Sequence, residues 1–98
     1  MSRESNDLSD SEIAAIDERA AAASPAPWES FIEEREPIGG ESFIRIGGMD
    51  DSQPDMYIHQ YIGATVVPVP VADLDFIAHA REDVPRLVAE VRRLRRSN

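Results

Sequence analysis

The two histidines are the residues of this chain best suited to chemistry, because an imidazole can act as a base or bind a metal near neutral pH. His79 follows Asp75 by one helical turn, so both side chains could share a metal ion, with Glu82 close by. The same spacing arises by chance on any acidic helix, and no recognised metal motif accompanies it. We therefore predict neither a metal site nor a cofactor.

Adjacent carboxylates are the second candidates for acid–base chemistry. Glu33 with Glu34, and Asp50 with Asp51, fall in predicted loops or exposed strand positions, where no apolar pocket would raise a pKa. The sequence therefore predicts a protein that is not an enzyme. The alternative is a small hydrolase that uses His59 or His79.

An alternation of side chains from Met56 to Ile62 indicates binding instead of catalysis. Met56, Ile58 and Ile62 would face a core, while the residues between them would face outwards together with residues of the preceding strand. Aromatic rings among Arg and His are typical of contact surfaces. The predicted ligand- or partner-binding residues are Phe43, Arg45, Tyr57, His59 and Tyr61. The alternative is that these tyrosines are ordinary half-buried strand residues.

The elements that position these residues follow from local signals. Ser9 and Glu12 have the spacing of a capping box, which predicts a helix from about Asp10 to Ala23. Strands are predicted at 28–35, 41–46 and 56–62, although Trp28–Arg35 also fits a helical turn. Residues 66–71 contain two prolines, so they should form an edge segment or a crossover.

A second helix is predicted to begin with Asp73 as its cap and to break near residues 81–83, because Asp83 and Pro85 resemble a fresh helix start. Beyond the break runs a regular apolar stripe, which is either core or a pairing surface for a second copy. Its candidate oligomer-interface residues are Val84, Leu87, Val91 and Leu94.

These elements predict an α+β fold with the order αβββα, in which a three-stranded antiparallel meander carries both helices on one face. We expect residues 1–7 to form a disordered tail and residues 8–96 to form one domain. A chain of 98 residues without cysteine has a thin core and no disulfide to reinforce it, which favours a homo-oligomer.

The charge balance limits the classes of partner. Nineteen Asp and Glu against ten Arg give a net charge of −9, which disfavours direct contact with nucleic acid or an anionic membrane. The charge is uneven, since residues 1–75 carry sixteen acids and four Arg, while residues 76–98 carry three acids and six Arg. No stretch predicts a membrane span or a secretory signal, so we expect a cytoplasmic protein.

Two segments resemble a known family. Ala23-Ser24-Pro25-Ala26-Pro27-Trp28-Glu29 follows an Ala-rich helix, and Asp75-Phe76-Ile77-Ala78-His79-Ala80-Arg81 precedes Asp83-Val84-Pro85. Both are similar to signatures of small phage-encoded proteins grouped as Ead-like, although Ser24 and Ala26 replace the usual Thr and Gly. The resemblance implies an accessory protein of a mobile element that acts in the cytoplasm of a bacterial host, and it carries over no catalytic residues.

Two binding functions and one catalytic function remain open at this point. The first is a homo-oligomeric accessory or anti-defence factor that sequesters a small nucleotide signal or a host protein. The second is an acidic mimic of nucleic acid that occupies a DNA-binding host protein. The third is the small hydrolase.

Overall fold

The structure, a computed structural model, describes residues 7–32, 42–49 and 52–96. Its elements are α1 (Asp10–Ala22), β1 (Trp28–Ile32), β2 (Ser42–Ile46), β3 (Asp55–Ile58), β4 (Gln60–Ile62), β5 (Thr65–Val67) and α2 (Val71–Arg96). The N-terminal helix, the three-stranded antiparallel sheet and the long C-terminal helix confirm the predicted α+β class. The expected tail at residues 1–7 lies, apart from Asp7, outside the described residues, as do the acidic pairs at 33–34 and 50–51.

The three-stranded sheet has the order β1-β2-β3, with β2 in the centre and both pairings antiparallel. Trp28 lies opposite Ile46, and Ser30 lies opposite Ile44, which in turn faces Met56 on β3. The strand interpretation of Trp28–Arg35 is therefore correct for Trp28–Ile32, and the other three residues lie outside the described part of the chain.

One face of this sheet packs against α2. Ile44 and Leu74 are fully buried, and Ile46, Val69 and Ala78 complete a cluster against which Trp28, Met56, Ile58 and Ile77 pack. The Ser30 hydroxyl on β1 also donates a hydrogen bond of 2.5 Å to the Asp75 carboxylate on α2. The alternation of β2 and β3 thus directs aliphatic side chains to the helix, as predicted, whereas the placing of α1 on the same face stays a prediction.

The predicted strand 56–62 is divided at His59, and its two parts belong to different sheets. β3 pairs with β2, whereas β4 forms a separate antiparallel hairpin with β5. Gly63, with φ of 59°, occupies the first position of the two-residue hairpin loop, where a positive φ is required. Ile62 consequently does not face the core, and the inward position predicted for it is wrong.

The hairpin also contains the first residues of the proline-containing segment 66–71. Val66 and Val67 belong to β5, so they form an edge strand, which was one of the two predicted alternatives. Pro70 ends the segment, and its carbonyl accepts hydrogen bonds from the backbone N–H groups of Asp73 and Leu74.

The start of α1 agrees with the sequence. The Ser9 hydroxyl accepts a hydrogen bond from the Glu12 N–H at 3.1 Å, and the Glu12 carboxylate accepts one from the Ser9 N–H at 2.8 Å. This reciprocal capping box satisfies two backbone donors that would otherwise lack partners.

The helix α2 is continuous from Val71 to Arg96, so the predicted break near residues 81–83 is wrong. Asp73 lies in its first turn and is not its cap. Pro85 lies inside the helix, where it removes one backbone donor. Leu74 and Ala78 before Pro85 and Val88 after it are buried at positions that keep helical spacing, as expected for a helix that is not broken there.

The chain divides into two compact units. In the described part of the first unit, residues 7–23 are combined with residues 83–96, so that α1 and the second half of α2 provide its structure. The second unit, Ser24–Glu82, contains both sheets and the first half of α2. No helix in the described ranges is long and apolar enough to cross a membrane.

Candidate functional site

Three aromatic rings form a row across the face of the sheet that is opposite the α2 cluster. Phe31, Phe43 and Tyr57 are direct cross-strand neighbours on β1, β2 and β3. The rings of Phe31 and Phe43 are stacked with centroids 5.3 Å apart, and those of Phe43 and Tyr57 are tilted at 5.1 Å. Both separations lie in the favourable range for aromatic pairs, so the sheet register itself assembles the row.

Burial differs along this aromatic row. Phe43 on the central strand is only 7% exposed and has a ring against each of its sides, whereas Phe31 and Tyr57 remain 37% and 47% exposed. Phe43 therefore supports the two outer rings from within, and those two rings are the ones that reach solvent.

A row of charges lies directly beside the aromatic row. Arg45 on β2 is the cross-strand neighbour of Glu29 on β1 and of Asp55 on β3. Its guanidinium carbon lies 5.1 Å from the centroid of the Phe31 ring, within the range of a cation–π contact. Because this row contains one Arg and two acidic residues, this edge of the surface has a net negative charge.

Only three of the five predicted binding residues belong to this surface, namely Phe43, Arg45 and Tyr57. His59 is exposed between β3 and β4, and Tyr61 lies on β4 in the second sheet. Within the described residues, no ring contact joins either of them to the aromatic row. Alternation predicted the outward direction of all five, but it could not reveal that the strand changes sheets at His59.

Phe31 belongs to the surface and was not predicted. The sequence contains the signal, since Glu29 and Phe31 alternate with Trp28, Ser30 and Ile32 in the predicted strand 28–35.

The region around His79 does not have the geometry of a shared metal site. The Asp75 carboxylate accepts the hydrogen bond from Ser30, and His79 Nδ1 lies 2.8 Å from the backbone carbonyl oxygen of Asp75. Across the ranges 7–32, 42–49 and 52–96, no three His, Asp or Glu side chains are grouped so that they could hold a metal ion.

The candidate oligomer-interface residues lie in the other compact unit, and they have two different environments. Val84 and Val91 are half-buried and line an apolar groove of about 220 Å³ with Leu8, Ile13, Ile16, Leu87 and Val88. Leu87 is 62% exposed, and Leu94 is about half exposed. Two of the four predicted residues thus pack mainly within the unit, and the other two reach solvent.

Ion pairs connect α1 to the second half of α2. Arg92 donates to Asp17 at 2.7 Å, and Arg95 donates to Asp10 and to the Leu8 carbonyl oxygen, both at 2.8 Å. All these side chains are substantially exposed, so each pair contributes at most about 1 kcal/mol. The two arginines therefore link defined positions of α1 and α2, but they add little to the free energy of unfolding.

A further ion pair lies on the outer side of α2. Arg93 donates two hydrogen bonds to the Glu90 carboxylate, one of them at 3.1 Å. The pair holds the pKa of Glu90 below its ordinary value and raises that of Arg93. Glu90 consequently keeps its negative charge under mildly acidic conditions.

The chain matches no family model, no curated protein and no solved structure.

Proposed function

We propose that the protein is a non-catalytic binding protein that contacts a protein partner through the outer face of its three-stranded sheet. The aromatic row of Phe31, Phe43 and Tyr57 carries this proposal. Its two outer rings are accessible while the central ring fixes their positions. Rigid aromatic side chains that are ordered before binding lose little conformational entropy on contact, which is why they dominate protein interfaces.

The charges beside the row favour a protein partner over a nucleotide. A phosphate needs a cation that is available to it, but the Arg45 guanidinium lies over the Phe31 ring, and its two cross-strand neighbours, Glu29 and Asp55, are acidic. The net charge of −9 adds to the repulsion of anions. The same arrangement suits a partner with an apolar centre and a basic side chain at the edge.

The resemblance to the Ead-like phage proteins extends the proposal to the source of the partner. An accessory protein of a mobile element acts among the proteins of its bacterial host, so a host protein with such a basic and apolar patch is the partner we propose.

Two tyrosines provide a matched test of the binding surface. Tyr57→Ala removes an accessible ring from the aromatic row, whereas Tyr61→Ala removes a ring that is 62% exposed on the separate β4–β5 hairpin. We expect Tyr57→Ala to reduce capture of the host partner by tagged protein at least about tenfold, as loss of an interface hot spot does. Tyr61→Ala should leave capture unchanged, as measured by quantitative mass spectrometry of the captured proteins.

The outcome also separates the alternatives. Equal capture by both variants would exclude the sheet face as the binding surface. A rise in the melting temperature with ATP or GTP that Tyr57→Ala abolishes would favour the nucleotide hypothesis. Binding that collapses as salt is increased would favour the acidic mimic, because an interface centred on aromatic rings is only weakly sensitive to salt.

A further inference from the structure

The exposed side of α2 carries an alternating series of charges within the first unit. Asp83, Arg86, Glu90 and Arg93 are all exposed and follow one another at intervals of three, four and three residues. These intervals keep the four side chains along one side of the helix. In chain order their charges are negative, positive, negative and positive.

This series is complementary to itself when it is reversed. Asp83 and Arg93 are equally distant from position 88, and so are Arg86 and Glu90. If two copies of α2 lie antiparallel around that position, each Arg86 therefore faces the Glu90 of the other copy, and each Asp83 faces the other Arg93. A parallel arrangement would instead place like charges opposite each other.

An exposed leucine lies close to the centre of the same side. Leu87 is one residue from position 88, and Leu94 follows it after two helical turns. Leu87 lines both the apolar groove shared with α1 and an open hollow that it forms with Asp83, Arg86 and Glu90. An apolar side chain of a second copy that occupied this hollow would contact Leu87 at the opening of the groove.

From this pattern we propose that the chain forms a symmetric homodimer in which residues 83–93 of α2 pair antiparallel with the same residues of a second copy. Such an interface is isologous, so each Arg86–Glu90 and Asp83–Arg93 contact occurs twice. The intrahelical Arg93–Glu90 pair lies within this network and holds Glu90 in its charged form. A second copy is the occupant because this chain supplies the charge sequence that complements its own.

Charge reversal tests the pairing without changing the core, since these side chains are exposed. We expect the wild-type chain to show a dimer that dissociates on dilution in sedimentation-velocity measurements. Glu90→Arg places two like charges opposite each other on both sides of the symmetry axis, so the dissociation constant should rise about tenfold or more. The double variant Arg86→Glu/Glu90→Arg restores both pairs in exchanged positions and should return it to near the wild-type value.

A matched pair of leucine variants tests the apolar centre. Leu87→Ser should weaken the dimer, and Leu74→Ala, which alters the core of the other unit, should leave the dissociation constant unchanged as long as circular dichroism shows a folded protein. A wild-type chain that stays monomeric at all concentrations would overturn the proposal. So would a dimer that Glu90→Arg does not weaken, or a double variant that fails to recover.

This inference is independent of the binding surface proposed for the sheet. Tyr57→Ala should leave the dimer intact, and Glu90→Arg should leave capture of the host partner by the sheet intact. Each proposal can therefore fail without the other.

Discussion

Phe43 is a buried aromatic residue on the face of the sheet opposite the α2 cluster, and it contacts an aromatic neighbour on each adjacent strand. Stacking on Phe31 and contact with Tyr57 shield it on both sides. Cross-strand register thus places an aromatic ring on each side of Phe43, and both rings contribute to removing it from water.

We predict that Phe43→Ala lowers the free energy of unfolding by about 3 kcal/mol, because it removes a buried ring and both aromatic contacts. Tyr57→Ala, at a position that is already 47% exposed, should cost about 1 kcal/mol. Urea unfolding followed by circular dichroism measures both values. Equal losses would mean that the central ring is no better packed than the outer one.

The direction of each side chain on this face was predictable from the sequence, but its exposure was not. Alternation placed Phe43, Arg45 and Tyr57 outwards, which the structure confirms. The burial of Phe43 depends on which residues lie beside it on the adjacent strands. The pairing register decides this, and register cannot be read from one strand alone. The same limit applies to Phe31, whose importance appears only once it is paired with Phe43.

Among the elements, those fixed by contacts close in sequence were predicted best. The capping box of α1 needs only Ser9 and Glu12, and it is present as predicted. The division at His59 depends instead on β3 having β2 as its partner while β4 pairs with β5. A period-two pattern continues unchanged through such a switch, so the sequence indicated one strand where the chain forms two.

Pro85 provides a test at the scale of the helix. In a continuous α2 it removes a backbone hydrogen bond, so we predict that Pro85→Ala increases the free energy of unfolding by about 1 to 2 kcal/mol. The gain is smaller than the full helix-propensity difference because proline also restricts the unfolded chain. Thermal unfolding at low protein concentration measures the change.

Asp83→Ala is the matched control for this experiment. If a new helix began at residue 83, Asp83 would be its cap, and its loss would cost about 1 kcal/mol. The proline would then be favourable in the first turn, and Pro85→Ala would reduce stability. In a continuous helix, Asp83→Ala should be close to neutral.

At the scale of the whole molecule, the two compact units differ in how much they bury. The largest fully buried side chains of the described residues, Ile44 and Leu74, lie in the sheet unit, whereas the described part of the helical unit has Ile13 and Val88 as its buried residues. Deep burial and central hydrogen bonding give the highest protection against local opening.

We therefore predict that backbone amides of Ile44 and Ile46, on the central strand, exchange with solvent more slowly than that of Ile16 in α1. A difference of about tenfold or more in protection factor is expected, and hydrogen exchange followed by NMR measures it. Equal protection in both units would show that they open together as one cooperative structure.

The sequence predicted the fold class and the acidic balance of the molecule, because both follow from composition and from the order of the elements. The prediction that residues 8–96 form one domain stays a prediction beside this division into two compact units. One of its two boundaries falls between Glu82 and Asp83, where the sequence indicated the end of a helix, but the helix itself continues. Long-range packing determines the units, and it is not encoded in any one local motif.

The backbone carbonyl oxygen of Ser24 accepts two side-chain donors, Trp28 Nε1 at 3.2 Å and Arg81 Nε at 2.7 Å. One main-chain atom thus joins the beginning of β1 to the middle of α2. Because every amino acid has this oxygen, position 24 can change freely during evolution, provided that the chain follows the same path. The indole and the guanidinium have no such substitutes, and selection for this junction would act on them alone.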